Sequence, residues 1–312
     1  MRILITGGAG CLGSNIIEKF LPQGFEILVI DNFATGRREV LPPVEGLRVV
    51  EGSVADWSLL KKCFDDFKPE CVIHSAAAYK DPTDWEEDTK TNVTGAIQVA
   101  KAAEQVGVSR IINFQTALCY GRPERVPISF DHPERPFTSY GISKTAGERY
   151  LMNSGLPVTS LRLANVTGPR LAIGPIPTFY QRLKAGKSCF CSDTRRDFLD
   201  MEDFLSIIEI LLRGEFPFGV FNVSTGESRS ILDVFQAVSS YLGVVVDEEP
   251  PVVPPGEDDV PEVVLDPSET TRLLGWRAKV GFQETIDRML SWYDEYGISA
   301  IHSHLAEPKK LT

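Results

Sequence analysis

Residues 2–31 read RILITGGAGCLGSNIIEKFLPQGFEILVID, and the fold follows from this stretch. The apolar run Arg2 to Thr6 is a short strand that breaks into glycines at Gly7 and Gly8. Ser14 to Phe20 reads as a helix closed near Gly24, and Phe25 to Ile30 as a second strand ending on Asp31. Strand, glycine turn, helix, strand and acid in that order make a βαβ unit. Gly7, Gly10 and Gly13 are spaced G-x-x-G-x-x-G, and Gly8 to Gly13 also satisfies G-x-G-x-x-G. Glycine is needed there because the backbone must turn tightly, approach a pyrophosphate and let the helix pack on the strand. The glycines alone are a weak signal; the strand, helix and acid around them mark a dinucleotide site. Gly7, Gly10, Cys11, Leu12, Gly13, Asp31 and Asn32 are its expected contacts. Asp31 lies 18 residues after Gly13, where a carboxylate accepts hydrogen bonds from adenosine ribose hydroxyls and repels a 2'-phosphate. NAD is therefore expected over NADP. The competing reading of Asp31 is a turn aspartate capping a loop, and Arg37 and Arg38 close behind keep NADP in view.

The alternation continues outward from this unit. Strands are expected at Leu47 to Glu51, Cys71 to His74, Arg110 to Gln115 and Val158 to Leu163, with helices at Trp57 to Phe67, about Thr91 to Val106, and Ser139 to Met152. Strands alternating with helices predict an α/β fold with a doubly wound parallel sheet of Rossmann type. Past Asn165 the pattern loosens. Helices near Phe179 to Ala185, Met201 to Leu212 and Phe282 to Tyr296, and a strand at Val220 to Val223 rejoining the sheet, suggest a smaller C-terminal substrate-binding lobe. The expected division is residues 1–165 for the dinucleotide, with 194–225 returning to it, and 166–312 mainly for substrate.

A net charge of −11 argues against a nucleic-acid partner, which needs clustered Lys and Arg. No apolar stretch approaches the roughly 20 residues of a spanning helix, so a cytoplasmic protein with nothing cleaved and no membrane partner is expected. The six cysteines lack zinc or disulfide spacing, and His74, His132, His302 and His304 build no metal site.

Tyr140 and Lys144 are four apart on an expected helix and share one face. A tyrosine is a poor base at neutral pH, but a neighbouring ammonium and a positive nicotinamide ring both favour its phenolate. Without context such a pair is more often a surface pair. The context is the whole chain, which resembles the extended short-chain dehydrogenase/reductase family and, within it, the UDP-galactose 4-epimerase-like branch. The resemblance runs through the glycine turn, Asp31, His74 to Ala77, Thr91-Asn92-Val93, Thr116 to Gly121, Tyr140 and Lys144, Leu161-Arg162, Asn165, Gly168-Pro169-Arg170, Arg196-Asp197-Phe198 and Leu274-Gly275-Trp276. It implies that Thr116, 24 residues before Tyr140, hydrogen-bonds a sugar O4, and that Tyr140 and Lys144 complete the catalytic set. It further implies that Ala76 and Asn92 lie near the cofactor, that Asn165 and Arg196 hold a nucleotide diphosphate, and that the chain is a homodimer through the helices at 91–106 and 139–152. Lys80 and Arg170 are candidates for the sugar pocket. Two departures stand out: Pro254 precedes Pro255-Gly256-Glu257 where relatives carry a diphosphate-binding arginine, and Ser53 stands where relatives carry an acid that meets the adenine.

Relatives that eliminate water carry an Asp-Glu pair directly after the catalytic threonine, and uronate decarboxylases a glutamate in the same stretch; this chain has Ala117 and Leu118. An apolar pair supplies no additional acid or base. The expected activity is C4 epimerisation of a UDP-hexose or UDP-uronate with NAD, in polysaccharide biosynthesis. The alternatives are a dehydratase or decarboxylase, a 4-ketosugar reductase, which usually goes with NADPH and sits poorly with Asp31, and a non-catalytic dinucleotide sensor, which would need no Thr116, Tyr140 and Lys144 together.

Overall fold

A computed structural model describes residues 1–79, 81–215, 217–245, 248–256 and 259–298. Six strands, β1 (Arg2–Thr6), β2 (Glu26–Asp31), β3 (Leu47–Glu51), β4 (Cys71–His74), β5 (Arg110–Thr116) and β6 (Val158–Leu163), join a late strand, Gly219–Val223, in one sheet. Every pairing is parallel, and the order is Gly219–Val223, β6, β5, β4, β1, β2, β3. Chain order reverses between β1 and β4. Open α/β sheets bind ligands at such a switch point, outside the carboxyl ends of the strands.

Both faces of the sheet are covered, which is why β1 reads as a continuous apolar run. Ile3 and Ile5 pack with Ile16 and Phe20 of helix α1 (Cys11–Phe20) and with Phe204 and Ile208 of Met201–Arg213. Leu4, between them, faces the other way, against Leu60 and Phe64 of helix α2 (Trp57–Phe67) and Val99 of Gly95–Val106. Each such side chain, fully buried, contributes about 1.5–3 kcal/mol. A separate core joins the helices Pro175–Lys184, Ile231–Leu242 and Phe282–Tyr296 through Phe179, Phe235, Val238, Ile286 and Met289.

Several helices depart from expectation, among them Pro175–Lys184, which starts four residues before the expected Phe179. Before Gly95–Val106 the chain forms a short helix, Trp85–Asp88, and a π-helical turn, Thr89–Thr94; a wide turn of this kind often marks a functional site. Ile231–Leu242, which the sequence reading did not identify, begins at a capping box in which Ser230 and Asp233 satisfy each other's backbone N–H.

Candidate active site

One cleft of about 1730 Å³ runs along the carboxyl edge of the sheet. That exceeds the roughly 300–1,000 Å³ typical of a single drug-sized ligand, leaving room for two. Gly7, Gly10, Cys11, Leu12, Asp31, Asn32, Ala76, Thr116, Tyr140, Lys144, Asn165 and Arg196 all line it. Lys80 lies outside the described residues.

At one end the wall is backbone. Gly7 turns at φ 69°, and a Cβ on Gly13 would stand 2.6 Å from Gly8 Cα and 2.7 Å from the Gly7 carbonyl, so α1 can start this close to β1 only with glycine. Gly13 therefore shapes the cradle from behind. The Gly10 carbonyl accepts the Ser14 N–H at 3.0 Å, and α1 begins at Cys11, three residues before the expected start, which turns its first N–H groups to the cleft. This is the cradle a pyrophosphate needs.

Asp31 accepts the Ala9 N–H on one oxygen and the Phe33 N–H on the other, each at 2.8 Å. It braces the glycine turn, as a loop-capping aspartate would, and each oxygen retains capacity for a ribose hydroxyl. Arg38 is paired with Glu51 at 2.6 Å and stacked on Phe33. Ser53 lines the cleft close by.

The middle of the cleft is made of side chains. Thr116 ends β5, and its Oγ1 accepts the Leu118 N–H at 3.2 Å, leaving the hydroxyl proton to donate. Tyr140 and Lys144 lie on the helix Ser139–Met152, which Thr138 caps by accepting the Gly141 N–H at 3.1 Å. This helix lies close against the π-helical turn because Gly147 has no side chain; a Cβ there would come within 2.2 Å of the Asn92 carbonyl. Asn92 is buried behind the lining. Its carboxamide exchanges two hydrogen bonds with the Ala78 backbone and donates to Ser143 at 3.0 Å, so it positions the walls.

Burial governs the charges. It lowers Lys144 to about 8, against the pull of Glu148. Burial, then Tyr79 and Asp88, push Tyr140 above the usual phenol range. The two rings meet edge-on at 6.3 Å, and Asp88 accepts a hydrogen bond from Ser139 at 2.6 Å. Burial outweighs any help from Lys144 at the Tyr140 hydroxyl, and the positive nicotinamide ring, expected beside the ammonium, would add a charge that favours the phenolate. His74 is buried against Thr6 and driven down to about 3 by desolvation and by Lys144, so it is neutral. Behind Lys144, Glu148 binds Arg162 at 2.8 Å and Ser160 at 2.5 Å, and Arg162 also binds Glu134. Tyr79, Asp88, Gln115 and Glu148 were not singled out from sequence; of these only Glu148, four residues after Lys144, carries a local spacing signal.

At the far end, Asn165 donates to the Asp197 carbonyl at 3.1 Å and Arg196 pairs with Asp259 at 2.5 Å and with the Val260 carbonyl at 2.8 Å. Arg170 is not among the residues that line the cleft; its guanidinium is held by Asn15 and Glu18. Among the described residues no helix is long and apolar enough to cross a membrane, and no cluster of His, Cys, Asp or Glu is arranged to hold a metal ion.

Residues 3–224 match the NAD dependent epimerase/dehydratase family. The chain belongs to this family. Within it, the chain is similar to the Bordetella bronchiseptica enzyme WbmG, solved in complex with NAD, with 69% identity over 98% of each chain and a TM-score of 0.93. The same enzyme in complex with NAD and UDP gives 68% identity over 99% of each chain and a TM-score of 0.94. The UDP-glucose 4-epimerase of Mycolicibacterium smegmatis is 30% identical over 315 residues, covering 94% of this chain and 98% of that protein. The Rossmann-type fold is the one that the strand–glycine–helix turn and the alternation after it predicted, and the family agrees with the resemblance seen along the whole chain.

Proposed function

We propose that the protein is an NAD-dependent UDP-sugar 4-epimerase. The observation that carries this reading is the joint opening of Thr116, Tyr140 and Lys144 onto the cleft that begins at the glycine cradle, with Ala117 and Leu118 in place of additional acids. The similarity to WbmG, solved with NAD and UDP, and to UDP-glucose 4-epimerases supports it.

The cradle and Asp31 fit NAD, with Ala76 and Lys144 toward its nicotinamide end. Bound NAD supplies a hydride acceptor and donor for sugar C4. Thr116 holds O4 by its free hydroxyl proton. Tyr140 takes the O4 proton and later returns it, while Lys144 orients the nicotinamide ribose. Asn165 and Arg196 hold the diphosphate; Arg196 exchanges part of its pairing with Asp259 to do so. Residues 1–165 with 194–225 form the dinucleotide-binding unit, which also lends Thr116, Asn165 and Arg196 to the nucleotide sugar, and the remainder serves mainly the nucleotide sugar. We further infer a cytoplasmic homodimer serving polysaccharide biosynthesis. Ile142 and Tyr150 on Ser139–Met152 and Trp85 before the π-helical turn are large apolar side chains, each at least half exposed, on the faces such a dimer would cover.

The test is to incubate the enzyme with a panel of UDP-hexoses and UDP-uronates and follow products by NMR. A C4 epimer that keeps deuterium placed at C4 and gains none at C5 in D2O is expected. Solvent label at C5, or loss of water or carbon dioxide, would replace the reading with elimination or decarboxylation.

A further inference from the structure

Gln115 is 2% exposed and immediately precedes Thr116 on β5. A carboxamide at that depth must find partners, because an unsatisfied buried polar group costs about 1–3 kcal/mol. Its Oε1 accepts the Thr116 backbone N–H at 2.8 Å, and its Nε2 donates to the Lys144 carbonyl at 3.1 Å. One partner is a donor and the other an acceptor, so a single orientation of the amide satisfies both. One side chain therefore joins the strand end that carries the threonine hydroxyl to the helical turn that carries Tyr140 and Lys144. The other side of the same turn is also fixed: Thr116 Oγ1 holds the Leu118 N–H, and the Leu118 carbonyl stands 3.0 Å from where a Gly141 Cβ would be.

We propose that Gln115 is a positioning residue, whose carboxamide sets the spacing between the Thr116 hydroxyl and the Tyr140/Lys144 turn. The consequence for rate rests on the epimerase reading above; the brace itself does not. Proton and hydride transfer at one carbon require O4 to be held by Thr116 while it faces Tyr140, and a misplacement of about 1 Å can lower turnover on the order of a hundredfold.

The test uses the full chain with NAD and two variants. Gln115→Met keeps length and apolar bulk but has no amide. Hydrogen exchange at the Thr116 amide, read by NMR, should accelerate. Its kcat should fall by about tenfold to a hundredfold, with KM and NAD affinity within about twofold of the parent. In Gln115→Glu the protonated acid can donate to the Lys144 carbonyl and accept from Thr116, whereas the carboxylate only accepts. The charged groups around it are Lys144 and Glu148 on the helix and Arg162, the register partner of Gln115 on β6. Relative to the parent at each pH, kcat of Gln115→Glu should fall as pH rises through that carboxyl's pKa, while the Gln115→Met ratio stays flat. Should Gln115→Met not fold, the Gln115→Glu profile carries the same test. Parental kcat in Gln115→Met, or in Gln115→Glu at every pH, overturns the positioning role, and unchanged Thr116 exchange overturns the brace. A parent enzyme that epimerises no UDP-sugar would instead sink the functional reading, leaving the exchange measurement to decide on the brace.

Discussion

The dinucleotide end of the cleft comes from β1, α1 and β2, thirty consecutive residues whose backbone forms the wall, with Asp31 bonded to the turn it supports. The end proposed for the sugar comes from β5, the helix Ser139–Met152, Asn165, Arg196 and the segment at Asp259, whose side chains hold one another through longer-range contacts. A wall of backbone is rigid and tolerates no added atom, whereas a wall of side chains is tuned by burial and by partners. Substitutions at the first end should therefore act on binding and stability, and at the second mainly on rate, with Lys144, where the two ends meet, acting on cofactor affinity as well.

The largest contrast is expected from Tyr140→Phe, which removes the hydroxyl proposed to transfer the proton and leaves the ring to pack on Tyr79. Turnover should fall by about 10²–10⁴, the usual worth of a general acid/base, while calorimetric NAD affinity hardly changes. Near-parental turnover would break the division between the two ends.

Gly13→Ala probes the other end. Its Cβ would meet backbone at 2.6 Å, and backbone cannot swing aside. A loss of about 1–3 kcal/mol in unfolding stability is expected, with weaker NAD binding. Parental stability would show that the cradle yields.

Asp31 should set cofactor choice through charge. NAD should bind at least about tenfold more tightly than NADP, a difference of about 1.4 kcal/mol, and Asp31→Asn should narrow the gap. Equal affinities in the parent would remove the role of Asp31 and revive a reductase.

The smallest effect belongs to Lys144. Burial lowers its pKa to about 8, so the ammonium is present below that pH and lost above it. NAD affinity should therefore weaken by a few-fold as pH rises through about 8, and Lys144→Ala should abolish this dependence. An affinity independent of pH would place Lys144 outside cofactor binding.

β1 and β4 were legible because a strand buried on both faces reads as an apolar run, and β3, β6 and the helices Trp57–Phe67, Ser139–Met152 and Phe282–Tyr296 also have the bounds that the alternation of strand and helix marked. The Rossmann turn was legible because its contacts are local. Ile231–Leu242 also carried a local signal, Ser230 three residues before Asp233 at the head of an apolar run, which the sequence reading did not use. Arg170 was a candidate for the sugar pocket only as a cation that would suit a carboxylate; its guanidinium is held by Asn15 and Glu18, partners more than 150 residues away in the chain.

What the chain settles by sequence alone is whatever depends on neighbours a few residues apart: the strand–glycine–helix turn, Asp31 at the end of β2, and Tyr140 and Lys144 on one helical face. Tertiary structure alone decides that Gln115 reaches Lys144, that Asn92 stands behind the wall, that Arg196 meets Asp259, and that Tyr140 and Lys144 both disfavour charge. Those outcomes depend on desolvation and on partners distant in the chain, and neither can be read from spacing, because the dielectric around a side chain exists only once the other elements have packed against it.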